Sequence, residues 1–377
     1  MNIRISATII SSLLIAGDAF TATPSSATTA SRANGRLFST TNPDQAVETK
    51  VGTAEEVRTS DMDLDIADIF PMAETKQKAV PLTAEEINTR RHQQLEKMRE
   101  IDQTSKQLQK EDLQIVHEDE DMVVVDKPSG VLTVAGKQPN ANIAQSVFDA
   151  LEVDLPTADH MVVHRLGFDT SGMLVFAKNK AAVRGMNTNF RTRKVKRVYE
   201  ALVTGHIAKN EGLISLPIMR DYEFPPYVRI STDDHQRALL DLDPEDVGKK
   251  ILEMPKASIT KYKVVSREEF KGHPVTRVTL QSISGRYHQL NVHMAAFGHP
   301  IVGDKVYGFN GEAAPNGGLT NKELEELAPN PNRASEELKA AVAEASKDMH
   351  PCVHAKQIGF RHPVSKKYVE FSTDSPF

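Results

Sequence analysis

The chain has 377 residues, with 46 Lys and Arg against 51 Asp and Glu. The resulting charge of −5 excludes a uniformly basic coat for nucleic acid but leaves room for a local basic face. Hydrophobic residues at 39% and charged residues at 26% describe an ordinary globular chain, and the single cysteine, Cys352, excludes an intrachain disulfide.

Residues 1–19 hold Arg4, a short apolar run at 7–16 broken by Ser11 and Ser12, and then small residues. That run is too short to span a bilayer and has the form of a signal-peptide core. Residues 20–43 contain Arg32 and Arg36, no acid, and many Ser, Thr and Ala, which is transit-peptide composition. The order predicts a bipartite presequence over 1–43 that directs the chain to a plastid (chloroplast). The alternative is a mitochondrial presequence, suggested by RLFSTT at 36–41. No membrane association is expected of the mature form.

Residues 44–70 are acidic and lack apolar periodicity, so disorder is expected. Thr83 followed by Glu86 has the spacing of a capping box and starts a helix that continues toward Lys110. Its apolar residues, Ile87, Leu95, Met98, Ile101 and Leu108, are sparse, which predicts a solvated arm packed by one stripe. Residues 44–111 are thus read as an N-terminal extension.

From Leu113 the texture changes to short β runs, first around 115–116 and 122–127, then at 198–203, 259–265, 275–283 and 369–372. Helical runs at 143–151 and 181–190 are fewer and do not alternate regularly with the strands. This predicts a single α+β domain over 112–377 with a mixed, mostly antiparallel central sheet. Residues 309–349, rich in Asn, Pro, Gly, Ala and Glu, read as a loosely packed surface insertion with exposed helices at 321–327 and 335–346.

The segment with most chemistry is VHRLGFDTSG at 163–172. An apolar strand is expected at 161–163 and another at 173–177. Between them a polar turn carries a base, an acid and two hydroxyls, so several functional groups share one sheet edge. Four further segments accompany it: VVVDKPSGVLTVAG at 123–136, VKRVYEALVTG at 195–205, ISGRYHQLNVHMAAFGHPIVGD at 283–304 with Tyr307 and Gly308 behind it, and VHA with IGFRHP at 353–363. In these motifs and their order, over about 113–371, the chain resembles the RluA-type pseudouridine synthases. The departures are Ser284 for Thr, Leu290 for Ile, Asn291 for Arg, and Gly167 where that family has its catalytic Asp.

The resemblance implies the pseudouridine synthase fold, isomerisation of specific uridines in ribosomal or transfer RNA, RNA as the partner, and no metal or organic cofactor. Such chemistry breaks an N-glycosidic bond, turns the base and rejoins it at C5. It needs a carboxylate as nucleophile or base, a cation that keeps it ionised in a dry pocket, and an aromatic platform for the flipped base. By position, Arg286 is the cation and Tyr199 the platform. Asp169, two residues beyond Gly167, is the candidate carboxylate, expected to approach Arg286 and to share a pocket with Tyr199, with Gly167 allowing a local bulge. His164 and Arg165 are candidates for filling the gap left by the base, and Thr170 and His288 for further substrate contacts. Lys178, Lys180, Arg184, Arg191, Arg193, Lys194, Lys196 and Arg197 fall in twenty residues without an acid, which predicts a phosphate-binding patch. Two other readings stay open. One is a catalytically inactive RNA-binding homologue. The other is a zinc hydrolase built on His350, Cys352 and His354 at alternate positions of a strand.

Overall fold

The computed structural model describes residues 82–377, so the presequence expected over 1–43 and the acidic stretch 44–70 lie outside the described residues. The first element, α1 (Ala84–Gln103), opens with the capping box the sequence predicts: Glu86 N–H donates to Thr83 Oγ1 and Thr83 N–H to the Glu86 carboxylate. Next come β1 (Gln114–Glu118), β2 (Met122–Lys127), α2 (Ile143–Ala150), β3 (Ser171–Ala177), α3 (Lys180–Arg191) and β4 (Lys196–Thr204). The middle of the chain supplies β5 (Glu211–Ser215), β6 (Ile218–Arg220), β7 (Val228–Ile230), α4 (Asp233–Leu239), α5 (Pro244–Val247), β8 (Ile259–Phe270) and β9 (His273–Ser282). The last part holds α6 (Gln289–Ala296), α7 (Asn321–Leu327), α8 (Glu336–Ala345), β10 (Val353–Arg361) and β11 (Tyr368–Ser372).

Nine strands join in one sheet in the order β1-β2-β3-β10-β4-β9-β8-β5, with β11 pairing β10 off this path, and β6 pairs β7 separately. Only β3 and β10 run parallel; the other pairs are antiparallel. The fold is therefore α+β with a mixed, mostly antiparallel sheet, as expected.

Strand periodicity explains why the sheet is buried on both sides near its centre. Val123, Val125, Leu174 and Phe176 point into one apolar cluster, and Met122, Val124, Met173 and Val175 into another. A third cluster lies under β4, β8, β9 and α6. Tyr199 of β4 packs against the first and third clusters, so it marks the seam between the two halves of the domain.

Three expectations need correction. Residues 161–163 are not a strand: a 3-10 turn spans Ala158–Met161, and Val162 makes one isolated bridge to Phe176. The buried turn anchors Met161 in the core and delivers the chain straight into the polar loop. Helix α1 stops at Gln103 instead of continuing toward Lys110; it is packed through one side, as expected, with Ile87 fully buried among Met219, Tyr222, Leu239, Val247 and Ile251, and Gln94 reaches Tyr227 and Glu312. The segment 309–349 is not loosely packed either. Ala313, Leu319, Leu324 and Ala328 enter the cluster under β4, and Val342 is buried against β9 neighbours. Its helices stand where predicted, and small side chains let them pack closely.

The parallel pairing of β3 with β10 requires Gly172. Its φ is +112°, and a Cβ there would stand 2.5 Å from the carbonyl oxygen of Ala355. Gly172→Ala should push the two strands apart and cost about 2 kcal/mol or more of unfolding free energy, read by urea titration. Unchanged stability would show that the strands separate freely.

Candidate functional site

The polar loop that follows Met161 is tied down at alternate residues. His164 Nε2 accepts the Val175 N–H at 2.9 Å, and its ring lies 5.0 Å from that of Phe190. Thr133 Oγ1 donates to the Leu166 carbonyl at 2.9 Å and accepts the Leu166 N–H at 3.3 Å. The Phe168 carbonyl accepts the Gly130 N–H at 3.0 Å and Lys127 Nζ at 3.2 Å. The intervening Arg165 and Gly167 are exposed, and Asp169 is 46% exposed.

Lys127 is fully buried at the end of β2, and its Nζ also donates to the carbonyls of Pro128 and Val131 at 2.8 and 2.7 Å. Burial pulls its pKa down to about 7, against the pull of Asp169. Three carbonyl acceptors match the three protons of an ammonium, so we take Lys127 as charged.

Thr170 N–H donates to the Gly167 carbonyl at 3.2 Å, closing a turn over 167–170. The segment is therefore not extended at Asp169, and Gly167 does not use a left-handed φ. A Cβ at Gly167 would meet only Thr170 Oγ1, at an ordinary 3.4 Å, so a larger residue fits there. The expected pairing of Asp169 with Arg286 does not form. Asp169 Oδ1 instead meets His350 Nδ1 at 2.7 Å, and His350 closes over Gly130. Arg286 makes no ion pair among the described residues, and its Nε is buried without a hydrogen-bond partner.

The loop that presents Arg286 is organised by Gln289. Its Oε1 accepts Ser284 Oγ at 2.8 Å and the Arg286 N–H at 2.9 Å; its Nε2 donates to the Ile259 carbonyl and Thr260 Oγ1. His288 caps α6 in a left-handed conformation, with its ring stacked 3.8 Å from that of Tyr287. Burial, helped by Arg220, pulls the His288 pKa down to about 4. At the far end of α6's first turn, Asn291 Nδ2 donates to the buried Asp304 carboxylate at 2.9 Å.

On β4, Tyr199 is half-buried at the seam, and burial raises its pKa. Arg197 stands two residues before it, its Cζ 6.0 Å from the Phe190 ring and its guanidinium against Gly285. The Arg197 Nε is also buried without a partner. Burial and the Arg197 cation together take His164 down to about pKa 3, so its ring is neutral. Arg197 is half-buried, unlike the outer cations that precede it. Of the remaining basic residues, Lys178 and Lys196 pair with Glu118 and Glu370. Lys180, Arg184, Arg191, Arg193 and Lys194 are exposed and make no ion pair among the described residues.

The zinc arrangement is overturned by side-chain direction. His350 faces Asp169, Cys352 is buried among Leu202, Val275, Val302 and Val342, and His354 Nδ1 bonds Ser171 Oγ at 2.8 Å.

A family model described as RNA pseudouridylate synthase matches residues 121–296, which contain both loops and Tyr199. The dual-specificity RNA pseudouridine synthase RluA of Pasteurella multocida is 33% identical over 265 residues, covering 70% of this chain and 94% of that protein. The chain belongs to the RNA pseudouridylate synthase family. The RluA protein of Yersinia pestis is 39% identical over 193 residues, covering 51% of this chain and 81% of the relative. Among solved structures, human RNA pseudouridylate synthase domain containing 1 superposes with a TM-score of 0.50 at 25% identity, over 72% of this chain and 87% of that one.

Within this pseudouridylate synthase domain, sequence reasoning missed the functional weight of Lys127, Gln289 and His350. Gln289 carried a signal, since it sits inside the long motif; His350 carried none, because its partner is 181 positions away.

His293 and His299 join His164 and His288 as buried rings with depressed pKa values, each about 4. Their folded values lie below the unfolded value of about 6.5, so the unfolded chain takes up protons that the folded one does not. Stability should be complete above pH 6.5 and fall as pH drops from 6.5 toward 4, by up to ~1.4 kcal/mol per pH unit per histidine. Denaturant titrations at pH 7 and 5 check this; a flat or rising profile would contradict it.

Proposed function

We propose that the chain binds structured RNA, ribosomal or transfer, and isomerises uridine to pseudouridine. The observation that carries this reading is the Arg197 guanidinium, which acts on both Tyr199 and His164 of the polar loop and abuts Gly285, the residue before Arg286. Cations there suit a polyanionic substrate, and Tyr199 offers an aromatic ring packed against two apolar clusters. Asp169 is the carboxylate the loop offers, and it is open to solvent on the side where Arg165 and Gly167 also lie. The composition of residues 1–43 supports delivery to a plastid, with the mitochondrion as alternative, so the RNA would be organellar.

A second reading, RNA binding without isomerisation, is favoured by one observation: Asp169 is held by His350 rather than by Arg286. Two variants separate the readings. If Asp169 works as the carboxylate, Asp169→Asn should lower the rate about 10²–10⁴-fold while RNA affinity is kept. Gly167→Asp should then gain little, and can lose activity through repulsion between two carboxylates. If the wild type is silent on organellar RNA and Gly167→Asp awakens it, the binding reading holds. Wild-type activity that survives Asp169→Asn removes Asp169 from the chemistry.

The exposed cations of α3 and its following turn are the proposed phosphate contacts. Neutralising Arg184, Arg191, Arg193 and Lys194 together should weaken binding to all sequences alike. Each contact removed should flatten the salt dependence by about 0.7–0.9 in the slope of log K against log salt. Affinity unchanged at low salt would mark the patch as a solvated face.

A further inference from the structure

The loop that carries Arg286 also carries an aromatic ring with no core to serve. Tyr287 is 45% exposed. The one other exposed Phe or Tyr among the described residues is Tyr368, whose hydroxyl donates to Glu370 on β11. Neighbouring side chains on extended backbone point to opposite faces. Here His288 has a φ of +49°, and its ring lies flat against that of Tyr287, with centroids 3.8 Å apart and planes 18° from parallel. The stack continues inward to Tyr227, whose ring centroid is 6.2 Å from that of His288 at 25° between planes. The Arg220 guanidinium, from β6, stands 5.4 Å from the Tyr287 centroid. Gln289 fixes the backbone beneath by accepting from Ser284 Oγ and the Arg286 N–H. The Tyr287 ring is thus held by an imidazole and accompanied by a cation, and it stays open to solvent.

We infer that Tyr287, with Arg220 beside it, is a stacking platform for an unpaired RNA base that flanks the target nucleotide. An aromatic ring accepts any base, since every base has a π-face, and a guanidinium adds both stacking and charge. A ring immobilised before the RNA arrives loses little freedom on binding. Tyr199 is packed against two apolar clusters, whereas Tyr287 lies open one residue after Arg286. The two rings therefore divide the work, Tyr199 under the target base and Tyr287 under a neighbour. Such a site takes RNA whose target lies in an unpaired stretch. The inference rests on the RNA reading of the same site, but its readout is base stacking and not isomerisation.

The test uses the full-length protein and a stem-loop RNA with the fluorescent base aminopurine placed in turn at each position of its unpaired loop. The wild type should bind the RNA and quench the probe at one or more positions. Tyr287→Phe keeps a ring and should do the same. Tyr287→Leu keeps apolar cover for His288 but has no π-face, so affinity should fall at least about fivefold and the quenching should be lost. The slope of log K against log salt should stay as in wild type, because no charge is removed. Equal binding and quenching by the Leu and Phe variants overturns the inference and leaves Tyr287 as a cover for His288. Equal losses in both variants also overturn it, since the hydroxyl and not the ring would then be in use. If the Leu variant does not fold, wild-type quenching decides alone, and binding without quenching overturns the inference. Failure of the wild type to bind any structured RNA removes the RNA reading and the platform with it. Stacking as expected without isomerisation leaves the platform standing while removing the enzyme reading.

Discussion

The buried ammonium of Lys127 is the interaction on which the site depends. It gathers three carbonyls, two from its own turn and one from Phe168, forty-one positions away. A carbonyl can be buried only if something donates to it, and a charged donor makes a stronger bond than an amide. Lifting the polar loop from the sheet would break the Phe168 bond and leave the buried ammonium one acceptor short. Thr133 and Gly130 add neutral bonds to the same loop from the same turn. A rigid support for exposed residues results, with the exposed positions free to carry chemistry.

Around that support the electrostatics are one-sided. Burial strips protons from His164, His288, His293 and His299, so the imidazoles contribute no charge near neutral pH. The acids nearby are engaged: Asp304 with Asn291 and backbone amides, Asp169 with His350, Glu200 with Arg277 and Lys356. What is left between the loops is positive and donor-rich. A chain with an overall charge of −5 thus holds two guanidinium groups, Arg197 and Arg286, with no acidic partner among the described residues, and such local positive charge attracts a negative partner.

Local signals in the sequence were legible where physics is local. The Thr83–Glu86 cap, α3, β4, β9 and the helix at 321–327 stand where residue order puts them. Local signals failed where distant packing decides. The run at 161–163 is apolar enough for a strand, yet burial of Met161 selects a turn. Residues 309–349 have the composition of a surface loop, but Ala313, Ala328 and Gly317 are small because neighbours press against them. In the site, motif order singles out Tyr199 and Arg286 and charge density singles out Arg197, but only the fold sets the Arg197 guanidinium against Gly285. The bond between Asp169 and His350 had no trace in either segment alone, since proximity across 181 positions is a property of the sheet.

The sheet order also has a temporal side. β10 enters between β3 and β4, and its His354 bonds Ser171 directly behind the polar loop. During synthesis from the N-terminus, β3 and β4 leave the ribosome about 180 and about 150 positions before the strand that separates them. Until then both present open edges that can pair with each other or with a neighbouring chain. The centre of this sheet is filled last, so until β10 emerges the nascent chain holds its polar loop by the Lys127, Gly130 and Thr133 contacts without the Ser171–His354 bond, and a chaperone that shields strand edges has its longest opportunity in that interval.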